Sequence, residues 1–105
     1  MAQFTAYRNR DPRSKAEIPF LLNIQNDLLN DLGSRLVIPL QLRSTVSFRS
    51  LSKLTPRVLL EGKELVAMTP RLAGIDVKHL GEAVGSLAHQ RADIVAALDL
   101  LISGF

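Results

Sequence analysis

Residues 57–68 read Arg-Val-Leu-Leu-Glu-Gly-Lys-Glu-Leu-Val-Ala-Met and carry the clearest turn signal of the chain. Two apolar runs, Arg57–Leu60 and Glu64–Met68, flank Glu61-Gly62-Lys63. Glycine adopts the positive φ that tight hairpin turns require. This stretch therefore predicts a β-hairpin, which ends at Thr69-Pro70 because proline lacks an amide hydrogen for a ladder.

Three further strands are predicted before this hairpin, from their apolar and alternating patterns, at Gln3–Tyr7, Pro19–Gln25 and Arg35–Leu40. The polar run from Arg8 to Glu17 is expected to be a mobile exposed loop, and residues 26–34 a turn. Pro39 cannot donate to a ladder. The third strand is therefore expected to lie at an edge, to carry a bulge or to end at Pro39.

The rest of the chain predicts irregular structure and one helix. Residues 41–56 have no clean period and are expected to be irregular with one short helical turn, while Ile75–Leu80 is expected to add a short strand. From about Ser86 the apolar spacing becomes helical, at Leu87, Ile94, Leu98 and Leu101. Gly104 stands where a left-handed residue closes a helix. These elements predict one mostly antiparallel sheet with a C-terminal helix, in a single domain over residues 1–105.

Composition limits the classes of protein that this chain resembles. Of its 105 residues, 47% are hydrophobic, which is enough to bury a core without staples. The chain has no cysteine, so disulfides and thiolate metal sites are excluded. Its first residues contain no signal-peptide h-region, and the apolar stretch Ile94–Ile102 is shorter than the roughly 20 residues of a membrane span. We expect a cytoplasmic protein without a membrane segment.

Catalytic and metal-binding signatures are weak throughout the sequence. His79 and His89 are ten residues apart with no cysteine to complete a metal site, so structural roles are favoured for both. No serine lies in a G-x-S-x-G context, and the glycines form no phosphate-binding motif. Asp27 and Asp31 fall in a predicted turn, where they are expected to bond local amides. The sequence predicts no catalytic residue, no metal site and no cofactor.

Positive charge concentrates in the predicted loop after the first strand. The net charge is +3, and the loop carries Arg8, Arg10, Arg13 and Lys15. More basic residues follow at Arg35, Arg43, Arg49, Lys53 and Arg57. Aromatic residues make up only 5% of the chain, too few for the stacking platform of a single-strand nucleic-acid binder. An acidic protein partner is favoured, although a merely solvated charged loop is an equal alternative.

The order of several segments resembles the CcdB family of plasmid and chromosomal toxins. The resemblance begins with Gln3–Tyr7, continues through residues 23–29 and the block Arg35–Leu40, and reaches the last residue. It implies an SH3-like antiparallel barrel of the CcdB/MazF type with a C-terminal helix, assembled as a homodimer. It also implies a toxin, not an enzyme, that binds the A subunit of DNA gyrase and traps the cleaved-DNA complex. A CcdA-like antitoxin would neutralise it.

The resemblance also assigns residues to two binding sites. The gyrase contacts would lie in the turn after the second strand and at the end of the helix: Leu28, Leu29, Asp99, Ile102, Ser103, Gly104 and Phe105. The antitoxin contacts would lie in the loop after the first strand: Arg8, Asn9, Arg10, Asp11, Arg13, Ser14 and Lys15.

The chain departs from the family pattern at its end. It ends in Ser103-Gly104-Phe105 where the best-known pattern is Trp-Gly-Ile, so the large aromatic anchor is missing from its usual place and Phe105 is expected to supply an equivalent apolar contact from two positions later. The alternative is a structural role, in which Leu101 and Ile102 belong to the core face of the helix and Phe105 is a frayed chain end. Two other functions stay open: a MazF-like messenger-RNA endonuclease on the same fold, and a decayed toxin that binds only its antitoxin.

Overall fold

The structure is a computed structural model, and it describes residues 2–47 and 52–104. Seven strands form one antiparallel sheet, followed by helix α1 at Arg91–Ser103. The strands are β1 (Thr5–Asn9), β2 (Phe20–Asn23), β3 (Ser34–Leu42), β4 (Arg57–Leu60), β5 (Lys63–Ala67), β6 (Ala73–Asp76) and β7 (Leu80–Ser86). The fold class predicted from the sequence is confirmed.

The sheet has the order β4-β5-β3-β2-β1-β7, and β6 pairs with the free half of β3. The sheet curls into a half-barrel, in which the end strands β4 and β7 approach each other. A Cβ on Gly85 of β7 would lie 2.9 Å from Cδ1 of Leu60 on β4. This close approach brings β7 next to β4, and a larger residue at position 85 would require the end of the Leu60 side chain to move.

The predicted hairpin is confirmed, with β4 and β5 joined at Glu61-Gly62. Both turn residues have positive φ, 52° at Glu61 and 72° at Gly62, which is the geometry of the tight turn that suits twisted strands. Its apolar residues Leu60 and Leu65 are buried in the main core.

Pro39 lies inside β3, so it neither ends the strand nor marks an outer edge of the sheet. On one side it is paired with Leu21 of β2. On its other side β3 changes partner, from β6 at Val37 to β5 at Leu40. The carbonyl of Pro39 accepts a hydrogen bond from the Met68 amide at this gap, at 2.9 Å. Pro39, which has no amide hydrogen, thus lies at the gap between β6 and β5, where the ladder requires no donor.

Three boundaries differ from the sequence prediction. The first strand runs from Thr5 to Asn9, so Arg8 and Asn9 belong to it and not to the following loop. Val77–His79 is a 3₁₀ turn instead of strand, because the Asp76 carboxylate accepts a hydrogen bond from the Lys78 amide at 3.0 Å. β7 occupies residues 80–86, which the sequence prediction left largely unassigned.

The C-terminal helix begins later than predicted. Leu87 is fully buried, but it precedes the helix, and a 3₁₀ turn at Ala88–Gln90 leads into Arg91. Ile94 and Ala97 form the buried face, whereas Leu101 is exposed. The prediction that Leu101 shares the core face is therefore wrong. In the part of the chain that the structure describes, no helix is both long and apolar enough to cross a membrane.

The sheet has two apolar faces. The larger core lies between the sheet and the helix, around Phe20, Leu22, Ile38 and Ile94. A smaller cluster on the other face contains Tyr7, Ile18, Leu21, Val37 and Leu80, with Ile75 packed against it. The predicted irregular region begins with a 3₁₀ turn at Arg43–Thr45, and its residues 48–51, including Arg49, lie outside the described residues.

Candidate partner-binding surfaces

The first surface is the turn at residues 26–32, here called the leucine turn, which follows β2. Its three leucines face solvent: Leu28 is 89% exposed, Leu32 51% and Leu29 48%. The sequence prediction included Leu28 and Leu29 but missed Leu32, which belongs to the same turn. Exposed leucines grouped in one short segment are typical of a surface that a partner covers.

Polar side chains fix the start of this turn. The carboxamide oxygen of Asn26 accepts a hydrogen bond from the Leu28 amide at 2.9 Å, and the Asp27 carboxylate accepts one from the Gln3 amide at 2.6 Å. The prediction that Asp27 bonds a local amide is thus wrong in its partner, since Gln3 is 24 residues away. The bond ties the leucine turn to the N-terminal segment.

The second group of predicted gyrase contacts lies at the end of α1. Ile102 is 79% exposed, and Asp99, Ser103 and Gly104 are exposed as well. Gly104 has a φ of 79° and donates its amide hydrogen to the Leu100 carbonyl at 3.0 Å, so it closes the helix as predicted. The Ser103 hydroxyl donates to the Asp99 carbonyl at 2.7 Å. Phe105 lies outside the described residues.

The end of β2 and the start of α1 both lie close to the N-terminal segment at Phe4. The Phe4 amide donates to the Asn23 carbonyl, and the Arg91 guanidinium lies 5.9 Å from the Phe4 ring. The leucine turn therefore leaves β2 near the start of α1, a helix of 13 residues and about 20 Å in length. Within residues 2–47 and 52–104, no hydrogen bond or ion pair joins the two groups.

The second candidate surface is the loop after β1, here called the basic loop, at residues 10–18. Buried Asn9 organises it from the end of β1. The Asn9 amide group donates to the Ser14 hydroxyl and the Ile18 carbonyl, both at 2.9 Å, and its oxygen accepts from the Asp11 amide at 3.0 Å. Asn9 thus supports the loop from inside, and the loop has a defined set of turns instead of the featureless run that its composition suggests.

Asp11 reduces the positive charge of the basic loop. Its carboxylate accepts hydrogen bonds from the amide of Arg13 at 3.0 Å and from Nε of Arg13 at 3.2 Å. The bond from the Arg13 amide, followed by that from its side chain, lowers the pKa of Asp11 below the ordinary value. Arg10 and Lys15 are exposed, and Arg10 donates to the Lys78 carbonyl at 3.3 Å.

Arg8 has a different environment from the loop residues with which the sequence prediction grouped it. Its guanidinium donates to Glu82 of β7 at 2.8 Å and to Glu61 of the β4–β5 turn at 3.2 Å. The hydrogen bond to Glu82 is the main reason why the pKa of Arg8 is raised. Arg8 therefore links the two ends of the curled sheet, while its charge is already paired with two carboxylates.

A groove of about 720 Å³ opens between the basic loop and the second face of the sheet. Its floor is apolar and includes Ile18, Leu21, Pro39 and Ile75. Three arginines, Arg10, Arg13 and Arg71, also line the groove, together with His79, Asn9, Ser14, Pro12 and the acidic Asp11. The groove offers apolar contact below and positive charge at the rim, which suits an acidic chain that also carries apolar side chains.

Arg71 and His79 were not predicted as site residues, because only the pairing of β6 with β3 brings their segments beside the basic loop. His79 was expected to have a structural role, but its side chain is exposed at the groove. In the described ranges, no cluster of three or more His, Cys, Asp or Glu side chains is arranged to hold a metal ion.

Comparison with known protein families identifies the family of this chain. A family model described as "CcdB protein" matches residues 3–104, nearly the whole chain. The chain belongs to the CcdB family. It is therefore a toxin of a toxin–antitoxin system, and a cognate antitoxin is its partner.

Solved structures show that the CcdB-family fold of this chain is shared with MazF-type toxins. An endoribonuclease from a mycobacterial species, in complex with its cognate antitoxin, is similar with a TM-score of 0.73 and 15% identity, over 97% of this chain and 94% of that chain. The Mycobacterium tuberculosis toxin MazF-mt6 is similar with a TM-score of 0.66 and 20% identity, over 78% of this chain and 83% of that chain. At these identities the likeness concerns the fold alone.

Proposed function

We propose that this protein poisons DNA gyrase by binding, without catalysing a reaction. A homodimer in the cytoplasm binds the A subunit of gyrase through the leucine turn and the end of α1. It prefers the enzyme state that holds cleaved DNA, so its binding shifts the population toward that state. The observation that carries this proposal is the exposure of Leu28 at 89% and Ile102 at 79% in a member of the CcdB family.

The exposure argues for a binding role because these side chains contribute little to the core. A leucine or isoleucine in solvent gains none of the roughly 1.5–3 kcal/mol that burial supplies. Leu59, on the edge strand β4, is also exposed, at 62%, but it stands alone among the charged neighbours Arg57 and Glu64 of its groove. The leucine turn instead groups three such side chains in one segment.

A dimer supports this mode of binding. A two-fold toxin presents two copies of each surface, so both can meet a two-fold partner at once. Sedimentation at micromolar concentration is expected to give the mass of two chains. A single-chain mass at that concentration would contradict the dimer.

The antitoxin is proposed to be a CcdA-like chain with an acidic, disordered tail. Its tail would bind across the groove, with its carboxylates near Arg10, Arg13 and Lys15 of the basic loop and its apolar side chains on Ile18 and Leu21. A disordered chain pays its ordering entropy on binding, so long-range attraction to an exposed positive rim speeds the encounter.

The groove also favours a second candidate function, messenger-RNA cleavage. Arg10, Arg13, Arg71 and His79 line it, and cationic side chains of this kind bind phosphate. The Asp11 carboxylate of the same groove already accepts bonds from Arg13, so it is a poor general base. Gyrase poisoning is therefore the leading proposal.

Truncation of the tail tests the proposal. The variant that lacks Ser103, Gly104 and Phe105 is compared with the full chain for melting temperature, antitoxin affinity and gyrase-dependent DNA cleavage. We expect loss of cleavage, unchanged antitoxin affinity and a stability change of at most about 1 kcal/mol, because Ser103 and Gly104 are exposed and only the closure of the helix end is lost.

Two results would refute the assignment. A melting temperature many degrees lower would show that the main role of these residues is to terminate the helix, which Gly104 closes. A folded truncated protein that still traps cleaved DNA would place the gyrase contact elsewhere.

A further inference from the structure

Arg35 is a buried cation without an acidic partner. It is the second residue of β3, directly after the leucine turn, and its side chain belongs to a residue that is only 5% exposed. No ion pair of Arg35 exists among residues 2–47 and 52–104. Its sequence context grouped it with the surface basic residues, so its burial is unexpected. A buried charge is expensive unless hydrogen bonds compensate it.

The compensation comes from backbone carbonyls. Nη1 of Arg35 donates to the carbonyls of Leu32 and Ser34, the latter at 2.7 Å, and Nη2 donates to the carbonyl of Asn30 at 2.7 Å. Two of these three carbonyls lie in the leucine turn. The planar guanidinium fixes its donors in a rigid fork, so it holds both carbonyls in one relative orientation.

The leucine turn has few other supports toward its end. Its internal bonds are short-range, such as the Leu32 amide to the Leu29 carbonyl at 3.1 Å, and short turns of this kind are weak alone. Gln25 adds one clamp, since its amide group donates to the Leu29 carbonyl at 3.0 Å and its oxygen accepts from the Leu36 amide at 3.0 Å. The leucine side chains point into solvent and cannot anchor the turn themselves.

The arrangement carries a cost that stability alone would not favour. Nε of Arg35 and Oδ1 of Asn30 are buried without a hydrogen-bond partner among the described residues. An apolar side chain at position 35 would remove the buried charge and the unpaired Nε together. It could not, however, hold the carbonyls of Asn30 and Leu32.

We infer that Arg35 is a positioning residue for gyrase binding. It holds the leucine turn in one conformation before the partner arrives, so Leu28, Leu29 and Leu32 meet the gyrase A subunit as a preorganised apolar surface. Preorganisation raises affinity by removing the entropy that binding would otherwise have to overcome. The inference rests on the proposed function for its partner, but the ordering of the turn is testable without gyrase.

The experiment combines amide hydrogen exchange with binding. The full-length variants Arg35→Met and Arg35→Lys are compared with the wild-type protein, in peptides covering residues 26–33 and in peptides covering β4 and β5. In Arg35→Met the turn amides are expected to exchange at least about tenfold faster, as the loss of charge-assisted hydrogen bonds implies, while β4 and β5 stay protected. Arg35→Lys retains the charge without the fork and should give an intermediate rate.

Binding is measured on the same proteins. Affinity for purified gyrase A subunit is expected to fall about tenfold in Arg35→Met and less in Arg35→Lys, in step with the exchange rates, since each tenfold step is a fixed free-energy increment. Antitoxin affinity should not change. Gln25→Ala removes the other clamp through a half-buried residue, so it tests the same turn if Arg35→Met does not fold.

Each failure has a distinct meaning. Unchanged exchange at residues 26–33 in folded variants, or equal acceleration across the whole sheet, overturns the positioning role. The positioning role is also overturned if Leu28→Ala weakens gyrase binding but the Arg35 variants, with their turn loosened, bind gyrase as tightly as the wild-type protein. If Leu28→Ala leaves gyrase binding intact, the proposed gyrase contact fails, and the exchange rates alone decide the role of Arg35.

Discussion

The basic loop leads into β2 and the leucine turn follows it, yet the loop exposes charged side chains and the turn exposes apolar ones. The loop lies at the end of the sheet where the Asn9 amide donates to the Pro19 carbonyl, and the turn lies where the Phe4 amide donates to the Asn23 carbonyl. The loop presents charges to solvent, whereas the turn presents leucines. One short strand thus sets apart the surface that we propose for the antitoxin and the surface that we propose for gyrase.

Both segments are supported in the same way despite their different surfaces. A buried polar side chain on the flanking strand holds backbone groups of each segment: Asn9 holds the basic loop, and Arg35 holds the leucine turn. The leucine side chains of the turn, which face solvent, take no part in these supporting hydrogen bonds. Substitutions at exposed positions should therefore separate the two binding activities, whereas substitutions at the supports should change local order.

The largest expected effect is on gyrase binding at the leucine turn. Replacement of both Leu28 and Leu29 by Ala should lower gyrase affinity by at least about thirtyfold, because central apolar anchors carry most of the binding energy. Gyrase-dependent cleavage of plasmid measures it. Leu59→Ala, which removes an exposed leucine on β4, is the matched control and should leave cleavage unchanged. Equal losses in both variants would remove the distinction between the surfaces.

A smaller effect is expected on antitoxin association at the basic loop. Arg10→Ser with Arg13→Ser should slow association about tenfold at low salt and flatten its salt dependence, since steering acts through exposed charge. Stopped-flow measurements at several ionic strengths check this. Arg8 is left intact because it closes the sheet through Glu61 and Glu82. Lys53→Ser with Arg57→Ser removes the same charge elsewhere, and an equal slowing there would show only a net-charge effect.

The smallest effect concerns pH and the shape of the basic loop. The pKa of Asp11 is lowered in the folded protein from its ordinary value of 3.8, so its hydrogen bonds to Arg13 stabilise the fold fully above that pH. Their contribution is lost as pH falls from 3.8 through the lowered value. Asp11→Asn should therefore reduce the pH dependence of the melting temperature in this acidic range. An unaltered profile would mean that Asp11 does not order the loop.

The sequence predicts those parts of the molecule that depend on nearby residues. The hairpin at residues 57–68 is predictable because Glu61-Gly62 alone sets the turn. The turn at residues 26–34 is predictable from its own residues, whereas Leu28 and Leu29 were singled out by the family resemblance. The helix closure at Gly104 depends on the last turn only.

Features that depend on distant partners are not predictable in this way. A Cβ on Gly81 of β7 would lie 3.0 Å from the backbone oxygen of Arg8 on β1, so this glycine is needed by a distant strand and its own strand is hard to recognise from the sequence. The partners of Arg8 lie 53 and 74 residues away, and a loop role was assigned to it because those partners are invisible locally. Arg35 resembles a surface cation until the turn that it holds is folded around it.

The most direct test of the account is a cleavage assay with purified toxin, gyrase, ATP and supercoiled plasmid, followed by protein denaturation, with a parallel incubation of toxin and messenger RNA. The account predicts linear DNA that requires both toxin and gyrase, together with intact RNA. Cleaved RNA with uncut plasmid would contradict it and favour the endonuclease. Intact plasmid and intact RNA, with antitoxin still bound, would show a toxin that has lost its action.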